Sequence, residues 1–333
     1  MTSAANTTPP VTWLIPVLNG MPYVRETLES IAAQTYPNAR LLVWDNGSTD
    51  GTVDELRKWV PSRIPGRVVT DQPMSYPNAL RALVDTADTE LLARIDADDI
   101  AEPTRLERQV ETMLADPDLA VLGTFGQRID PDGNPLPGGK QHATTDAEVR
   151  WRLRFAASLA HPCAMMRRSA ILSVGSYRDL RPYEDCELWA RLAPRYRLYN
   201  LPDKLMRCRA HPNSVVATDK PDTSKIMRQI AFEHATQLYP GVDIATVRSV
   251  YDALFEPDRT VTLAELAGLR ELARAAAIGC GLEPNYFVNT RVYRAQRDQL
   301  RRRVLTRVPG VRAAWSMAGS AKRAVIGAQR EAA

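Results

Sequence analysis

The chain is expected to fold as an α/β domain with a mixed central sheet flanked by helices, followed by a helical C-terminal extension. Three observations lead there. Short apolar runs rich in β-formers alternate with segments whose apolar residues recur at helical spacing. Polar clusters close the runs at Asn19, Asp45 and Asp96, as ligand-binding tips of parallel strands do. From about Ser224 the pattern becomes wholly helical. At 333 residues the chain can bury a sizeable core and carry one large domain plus an appendage.

Residues 1–10 are polar and Pro-terminated and are expected to be a flexible N-terminus. Val11 to Val17 is a short buried strand ending in the turn Asn19-Gly20. Val24, Leu28, Ile31 and Ala32 follow at helical spacing, and Leu41 to Trp44 supplies a second strand ending at Asp45-Asn46-Gly47-Ser48. Thr52-x-x-Glu55 reads as a capping box opening a second helix. Arg67 to Val69 and Leu91 to Ile95 read as the third and fourth strands. Pro103 stands where a helix would start, ahead of the stripe Leu106, Val110, Met113 and Leu114. Ala120 to Thr124 and Gln127 to Ile129 read as two more strands, the latter turning at Asp132-Gly133, which makes the sheet mixed. Thr145-x-x-Glu148 opens a further helix, and Glu184-Asp185 stands at the N-terminus of a short amphipathic one. The boundaries expected are 11–220 for the α/β domain and 221–333 for the helical region.

Composition excludes several classes. Lys plus Arg number 43 and Asp plus Glu 39, a net charge of +4 that alone implies neither nucleic acid nor membrane. The four cysteines have no C-x-x-C spacing, and His161 and His211 complete no zinc pattern, so a reducing compartment fits. There is no leader-like block and no run of about 18 apolar residues, so the chain is expected to be cytoplasmic and non-spanning.

The chemistry gathers at Asp96-Ala97-Asp98-Asp99, leaving a buried strand. Hard cations such as Mg²⁺ or Mn²⁺ combine one or two carboxylates with substrate phosphates, so the cluster suits a diphosphate–metal site. Taken alone it is equally an acidic turn capping the next helix, with Asp99 as the capping member. Likewise Glu184 and Asp185, taken alone, are helix caps.

The successive blocks Leu14-Ile15-Pro16-Val17-Leu18-Asn19-Gly20, Ser30 to Tyr36, Val43-Trp44-Asp45-Asn46-Gly47-Ser48-Thr49-Asp50 and Ala93-Arg94-Ile95-Asp96-Ala97-Asp98-Asp99 resemble those of family 2 glycosyltransferases. Arg105 to Gln109, His161 to Met165, Tyr183 to Trp189 and Arg209 to Ser214 continue the resemblance to about residue 216. It implies a GT-A fold and an inverting, metal-dependent transfer of a hexosyl or N-acetylhexosaminyl group. The donor implied is a nucleoside-diphosphate sugar, UDP-linked by expectation, and the cofactor Mn²⁺ or Mg²⁺. The acceptor is a hydroxyl of a glycan, a lipid-linked glycan or a protein. Position by position, the resemblance assigns Asp45 to the donor base and Pro16 and Asn19 to the pocket wall. Arg94 lies beside the nucleotide, and Asp96 meets ribose or metal-bound water. Asp98 ligates the metal, with His211 on metal or diphosphate. An inverting transfer needs a base for the acceptor hydroxyl, and Asp185 is the candidate, with Glu184 second. A helix N-terminus is expected to favour its ionised form.

The chain departs from the family at Asn46, where a second acid is usual, and at Asp71 to Pro77, which lacks the usual glycine-containing stretch. His161 is expected to pack beside Pro162. A nucleotidyltransferase would need a basic glycine-rich loop after the first strand, and no Lys or Arg precedes Arg25. A dehydrogenase would need G-x-G-x-x-G there. A catalytically silent carbohydrate-binding or scaffold protein on the same fold stays open. Arg291, Arg294, Arg297, Arg301, Arg302, Arg303 and Arg307, followed by Val311, Trp315 and Met317, suit a peripheral contact with the inner membrane face or an oligomer surface. No aromatic-interleaved basic sheet suited to nucleic acid is present in the sequence.

Overall fold

The computed structural model describes residues 8–70, 73–138, 143–211, 229–230, 233, 239, 241–256 and 259–305. The chain divides into two compact units, residues 1–226 and 227–333. The expected boundary near residue 220, most of the expected flexible N-terminus, Asp71-Gln72, Pro212 to Ser214 and the basic tail from Arg307 lie outside the described residues.

The first unit is one mixed eight-stranded sheet. β1 (Val11–Val17), α1 (Val24–Ala32), β2 (Ala39–Asp45), α2 (Thr52–Trp59), β3 (Gly66–Val69), α3 (Tyr76–Thr86) and β4 (Leu91–Arg94) alternate along the chain. Then come β5 (Ile100–Ala101), α4 (Arg105–Ala115), β6 (Leu119–Ile129) and α5 (Asp146–Leu153). A 3₁₀ turn (His161–Cys163), β7 (Met165–Arg167), α6 (Arg168–Ser173), α7 (Glu184–Leu192) and β8 (Arg197–Arg209) complete it. The strand order is β3-β2-β1-β4-β7-β6-β8-β5. β1 pairs in parallel with β2 and β4, and β2 with β3. β7 runs antiparallel to both β4 and β6, and β6 runs parallel to β8. The two strands expected between Ala120 and Ile129 are one, because register shifts near Thr124 to Gly126 let a single chain bend without leaving the ladder.

Helices cover both faces, so β1 is apolar at successive positions rather than alternating. Trp13, Ile15 and Val17 pack with Val24, Leu28 and Ile31 of α1 on one side. Leu14, Leu42 and Trp44 pack with Leu80, Leu83 and Val84 of α3 on the other. The period of two along the strand sorts its side chains between two cores.

Two local expectations are corrected. Thr52 does not cap α2: Gly51 occupies the N-cap at φ 92°, and Glu55 is drawn instead to Arg25, Lys58 and the Trp59 indole. The Thr52 hydroxyl serves the neighbouring loop, accepting from the Gly20 N–H at 2.8 Å and donating to Asp50 at 2.5 Å. Nor does Asp99 cap α4, which starts at Arg105 behind Thr104. Asp99 is buried and accepts the Arg209 N–H across to β8 at 2.9 Å.

Gly66 begins β3 against Leu41. A Cβ there would lie 1.9 Å from the Leu41 carbonyl oxygen, a backbone atom that cannot rotate away. Gly66→Ala is expected to cost about 3 kcal/mol, read as a lower urea midpoint with unchanged slope.

In the second unit α8 (Ile244–Phe255), α9 (Leu263–Gly279) and α10 (Arg291–Leu305) pack on one another. α9 opens with a reciprocal capping box between Thr262 and Glu265. The Arg303 guanidinium donates to the carbonyls of Ala253 and Glu256, acceptors that the end of α8 leaves open, and to that of Arg259 beyond it. Among the described residues no helix is long and apolar enough to cross a membrane.

Candidate active site

The loops after β1 and β2 are laced together at the carboxyl ends of their strands. Asn19, at φ 54°, accepts the Thr49 N–H at 2.9 Å, and its own N–H donates to the Ser48 hydroxyl at 2.8 Å. Pro16 is buried in β1 opposite Trp44. Asp45, only 2% exposed, ends β2. Its Oδ2 accepts the N–H groups of Gly47 and Ser48 at 3.1 and 3.0 Å, while its Oδ1 is buried with no protein partner. An orphaned acceptor is costly to bury, so it marks a place where a ligand donor belongs. Asn46 replaces the second acid of this region with a two-way clamp. Its amide nitrogen donates to the Met74 carbonyl at 2.9 Å, and its oxygen accepts the Met74 N–H at 2.8 Å. A carboxylate could accept there but not donate.

Arg94 ends β4 and is fully buried. It pairs with Asp96 at 2.6 Å and donates to the Tyr76 hydroxyl, while its Nε and Nη1 have no protein partner. Beneath it Arg105, stacked 4.9 Å over Trp13, donates to the Arg94 carbonyl at 2.8 Å. Gln109, one turn on, donates to the Leu122 and Cys163 carbonyls at 2.9 and 3.0 Å. The Arg105 to Gln109 block thus staples α4 to the sheet under the site.

Asp96, Asp98 and Asp99 each present an oxygen within 4.8 Å of the others. Their environments separate them. Burial opposes ionisation of Asp96, but the Arg94 charge wins and holds its carboxyl below the ordinary range, while 37% of its side chain stays open. Burial and then the Asp96 charge push Asp98 up; Nε2 of His211 sits 2.8 Å from it. Burial raises Asp99 well above the usual range. His211 lies tilted against Tyr23 with centroids 5.2 Å apart, and Arg209 donates to the Asp98 carbonyl at 3.0 Å. β8 therefore delivers both residues to the acidic loop. Crowded carboxylates beside an imidazole fit a hard divalent cation, which would relieve the repulsion that raises Asp98.

The second acidic pair opens α7. Tyr183 precedes it at φ 78°, an uncommon conformation for a bulky residue that turns the chain sharply into the helix. Glu184 Oε1 lies 3.7 Å from Nδ1 of His161, whose Nε2 is 2.8 Å from the Tyr177 hydroxyl. Burial disfavours the Glu184 carboxylate, yet His161 and Arg94 hold it below the ordinary range. Asp185 accepts the Cys186 N–H at 2.7 Å. The Cys186 N–H at the helix start favours the ionised form, as expected, but burial and the Glu184 charge outweigh it and push the Asp185 carboxyl up. His161 does more than pack beside Pro162, since it joins Tyr177 to Glu184. Tyr76 and Tyr177 were missed by sequence reasoning. Tyr177 is buried and Tyr76 half-buried, and both feel the charges of Arg94, Glu184 and Asp185, so they stand between the two acidic groups. Tyr76 lay within the divergent stretch Asp71 to Pro77; nothing in the sequence marked Tyr177.

The mixed sheet, with carboxylates gathered at its strand ends, has the architecture of the GT-A glycosyltransferases. The architecture is similar to that of TarS 1–349 from S. aureus in complex with UDP-GlcNAc, with a TM-score of 0.59 and 16% identity, covering 89% of this chain and 91% of that one. It is similar too to the mannosyltransferase PcManGT from Pyrobaculum calidifontis, solved with GDP-Man and Mn²⁺, with a TM-score of 0.50 and 20% identity over 90% of this chain and 87% of that one. Residues 12–175 match glycosyl transferase family 2, and this part of the chain is a glycosyltransferase domain of that family. Its relatives include the amylovoran biosynthesis glycosyltransferase AmsE of Erwinia amylovora, 29% identical over 58% of this chain and 72% of that protein. The O-antigen biosynthesis glycosyltransferase WbnJ of Escherichia coli is 29% identical over 58% of this chain and 76% of that protein.

Proposed function

We propose that this glycosyltransferase moves a hexosyl or N-acetylhexosaminyl group from a UDP sugar to a glycan hydroxyl, with inversion and with Mn²⁺ or Mg²⁺. The observation that carries the reading is the charge network running from half-open Asp96 through buried Arg94, close enough to Glu184 to hold its carboxyl down. It joins a donor side to an acceptor side. Asp45 Oδ1 is free to accept from a nucleobase N–H, which a uracil ring offers. Asp98 is the metal ligand of choice, because Arg94 already engages Asp96 and leaves it for ribose or metal-bound water, with His211 beside Asp98. A cation held there supplies Lewis-acid stabilisation of the departing diphosphate.

In the reaction the acceptor oxygen bonds to the anomeric carbon as the bond from that carbon to the diphosphate oxygen breaks. The nucleoside diphosphate leaves with the bonding pair, and the hydroxyl proton passes to Asp185. Inversion follows from attack opposite the leaving group. The relatives named for amylovoran and O-antigen biosynthesis support a glycan acceptor over a protein.

The test is Mn²⁺-dependent release of nucleoside diphosphate from a panel of nucleotide sugars with glycan acceptors. Release from a UDP sugar is expected; no turnover with any donor would favour a silent binding protein instead. Asp45→Asn is expected to weaken UDP binding about tenfold, since the amide offers the base a weaker and partly mismatched partner. Calorimetry reads this directly, and unchanged affinity would remove Asp45 from the base site.

A further inference from the structure

The second unit carries a charged surface that sugar transfer does not explain. α10 holds six arginines and one acid, Asp298, which Arg297 already neutralises at 2.9 Å. Tyr293 and Leu300 are buried, Tyr293 edge-on to Phe287 with centroids 4.6 Å apart, and Arg303 turns inward to the carbonyls at the end of α8. These residues fix the inner side of the helix. At about 100° per residue, Arg291, Arg294, Arg301 and Arg302 fall within one arc of the opposite side, and all four are exposed. Arg294 reaches back to the Asn289 carbonyl, which uses one N–H and leaves its charge uncompensated. The stripe runs the length of a 15-residue helix.

We propose that this face of α10 docks the protein on a membrane surface rich in anionic phospholipid headgroups. Charge complementarity is the first argument. Like charges repeated turn after turn repel one another, a cost that a broad anionic plane offsets without demanding a particular geometry. The chain that continues from α10 gives the second. Residues 306–333 contain five Lys and Arg against one Glu, with Val311, Trp315 and Met317 among them. A basic composition with Val, Trp and Met in it suits an anionic headgroup layer, whereas an acidic protein partner would gain nothing from the apolar members.

The experiment uses the full chain with two vesicle compositions, phosphatidylcholine alone and phosphatidylcholine with about a third phosphatidylglycerol. Flotation is expected to show binding only to the anionic vesicles, declining steeply as salt is raised. Each arginine near such a surface contributes roughly fivefold to affinity. The variant R291E/R294E/R301E/R302E is therefore expected to lose vesicle binding by at least about a hundredfold. Its nucleoside diphosphate release with a soluble acceptor should match the parent, which also reports that it has folded. A four-glutamine variant, with less repulsion inside the unit, should fall in between. Binding by the parent to neither vesicle, or equal binding to both, overturns the proposal and turns attention to an acidic protein. Full retention of binding by the charge-reversed variant overturns it as well.

Discussion

Asp98→Asn is expected to reduce turnover by roughly a thousandfold and to remove most of the metal dependence of donor binding. The reasoning rests on how the three acids differ. Asp96 is tied to Arg94 and Asp99 to the Arg209 N–H, so Asp98 is the carboxylate whose partner, His211, is another potential ligand and not a competitor for metal. Removing its charge leaves an amide that ligates a hard cation weakly. The checks are titration of UDP with and without Mn²⁺, and turnover at saturating donor over a range of Mn²⁺. Wild-type turnover in this variant, or donor binding that stays fully Mn²⁺-dependent, would move the metal away from Asp98.

Asp185→Asn is expected to abolish transfer to a comparable extent, about a thousandfold, while UDP-sugar affinity stays within roughly twofold. The substitution keeps the size and the acceptor for the Cys186 N–H but removes the proton acceptor. The pH profile offers an independent reading. Burial and the Glu184 charge raise the Asp185 pKa, so the carboxyl takes up its proton at a higher pH than an ordinary aspartate. A base must be ionised to act, so kcat falls as pH drops through that raised value, and the acid limb lies above the usual carboxylate range. Equal loss of donor affinity in the variant would mean that Asp185 does more than take the proton.

Much of the fold was legible because β1, β2 and β4 are buried on both faces and so read as unbroken apolar runs ending in polar clusters. Strand identity failed where burial changes midway. β6 is buried up to Thr124 and half-open beyond Phe125, so one strand reads as two. The capping box at Thr52 failed because a side chain with a better offer across the loop leaves the local one, and a pattern of four residues carries no record of Gly20 or Arg25. Within the candidate site, the acidic residues at strand and helix ends could be named from the family's blocks. The tyrosines between them could not. Tyr76, Tyr177 and His161 acquire their places only when α3, the 3₁₀ turn and the segment before α7 converge, and the direction of the Asp185 shift depends on that convergence too.

The reversed strand β7 has a consequence for how such an enzyme changes over generations. On one flank lie the parallel strands that end in Asp45, Arg94 and Asp96; on the other lie β6 and β8, with α7 reached only after the chain has turned back. The flanks meet at a short seam, with Leu91, Leu92 and Ala93 laddered to Arg167, Met166 and Met165. If the proposed donor and acceptor sides are right, mutations around α7, beyond the seam, can reshape the surface that receives the sugar without disturbing the register of the strands that hold the nucleotide. A lineage would then inherit its donor and explore new acceptors, drifting around α7 while the parallel strands, and the end of β8 that meets the acidic loop, stay under constraint.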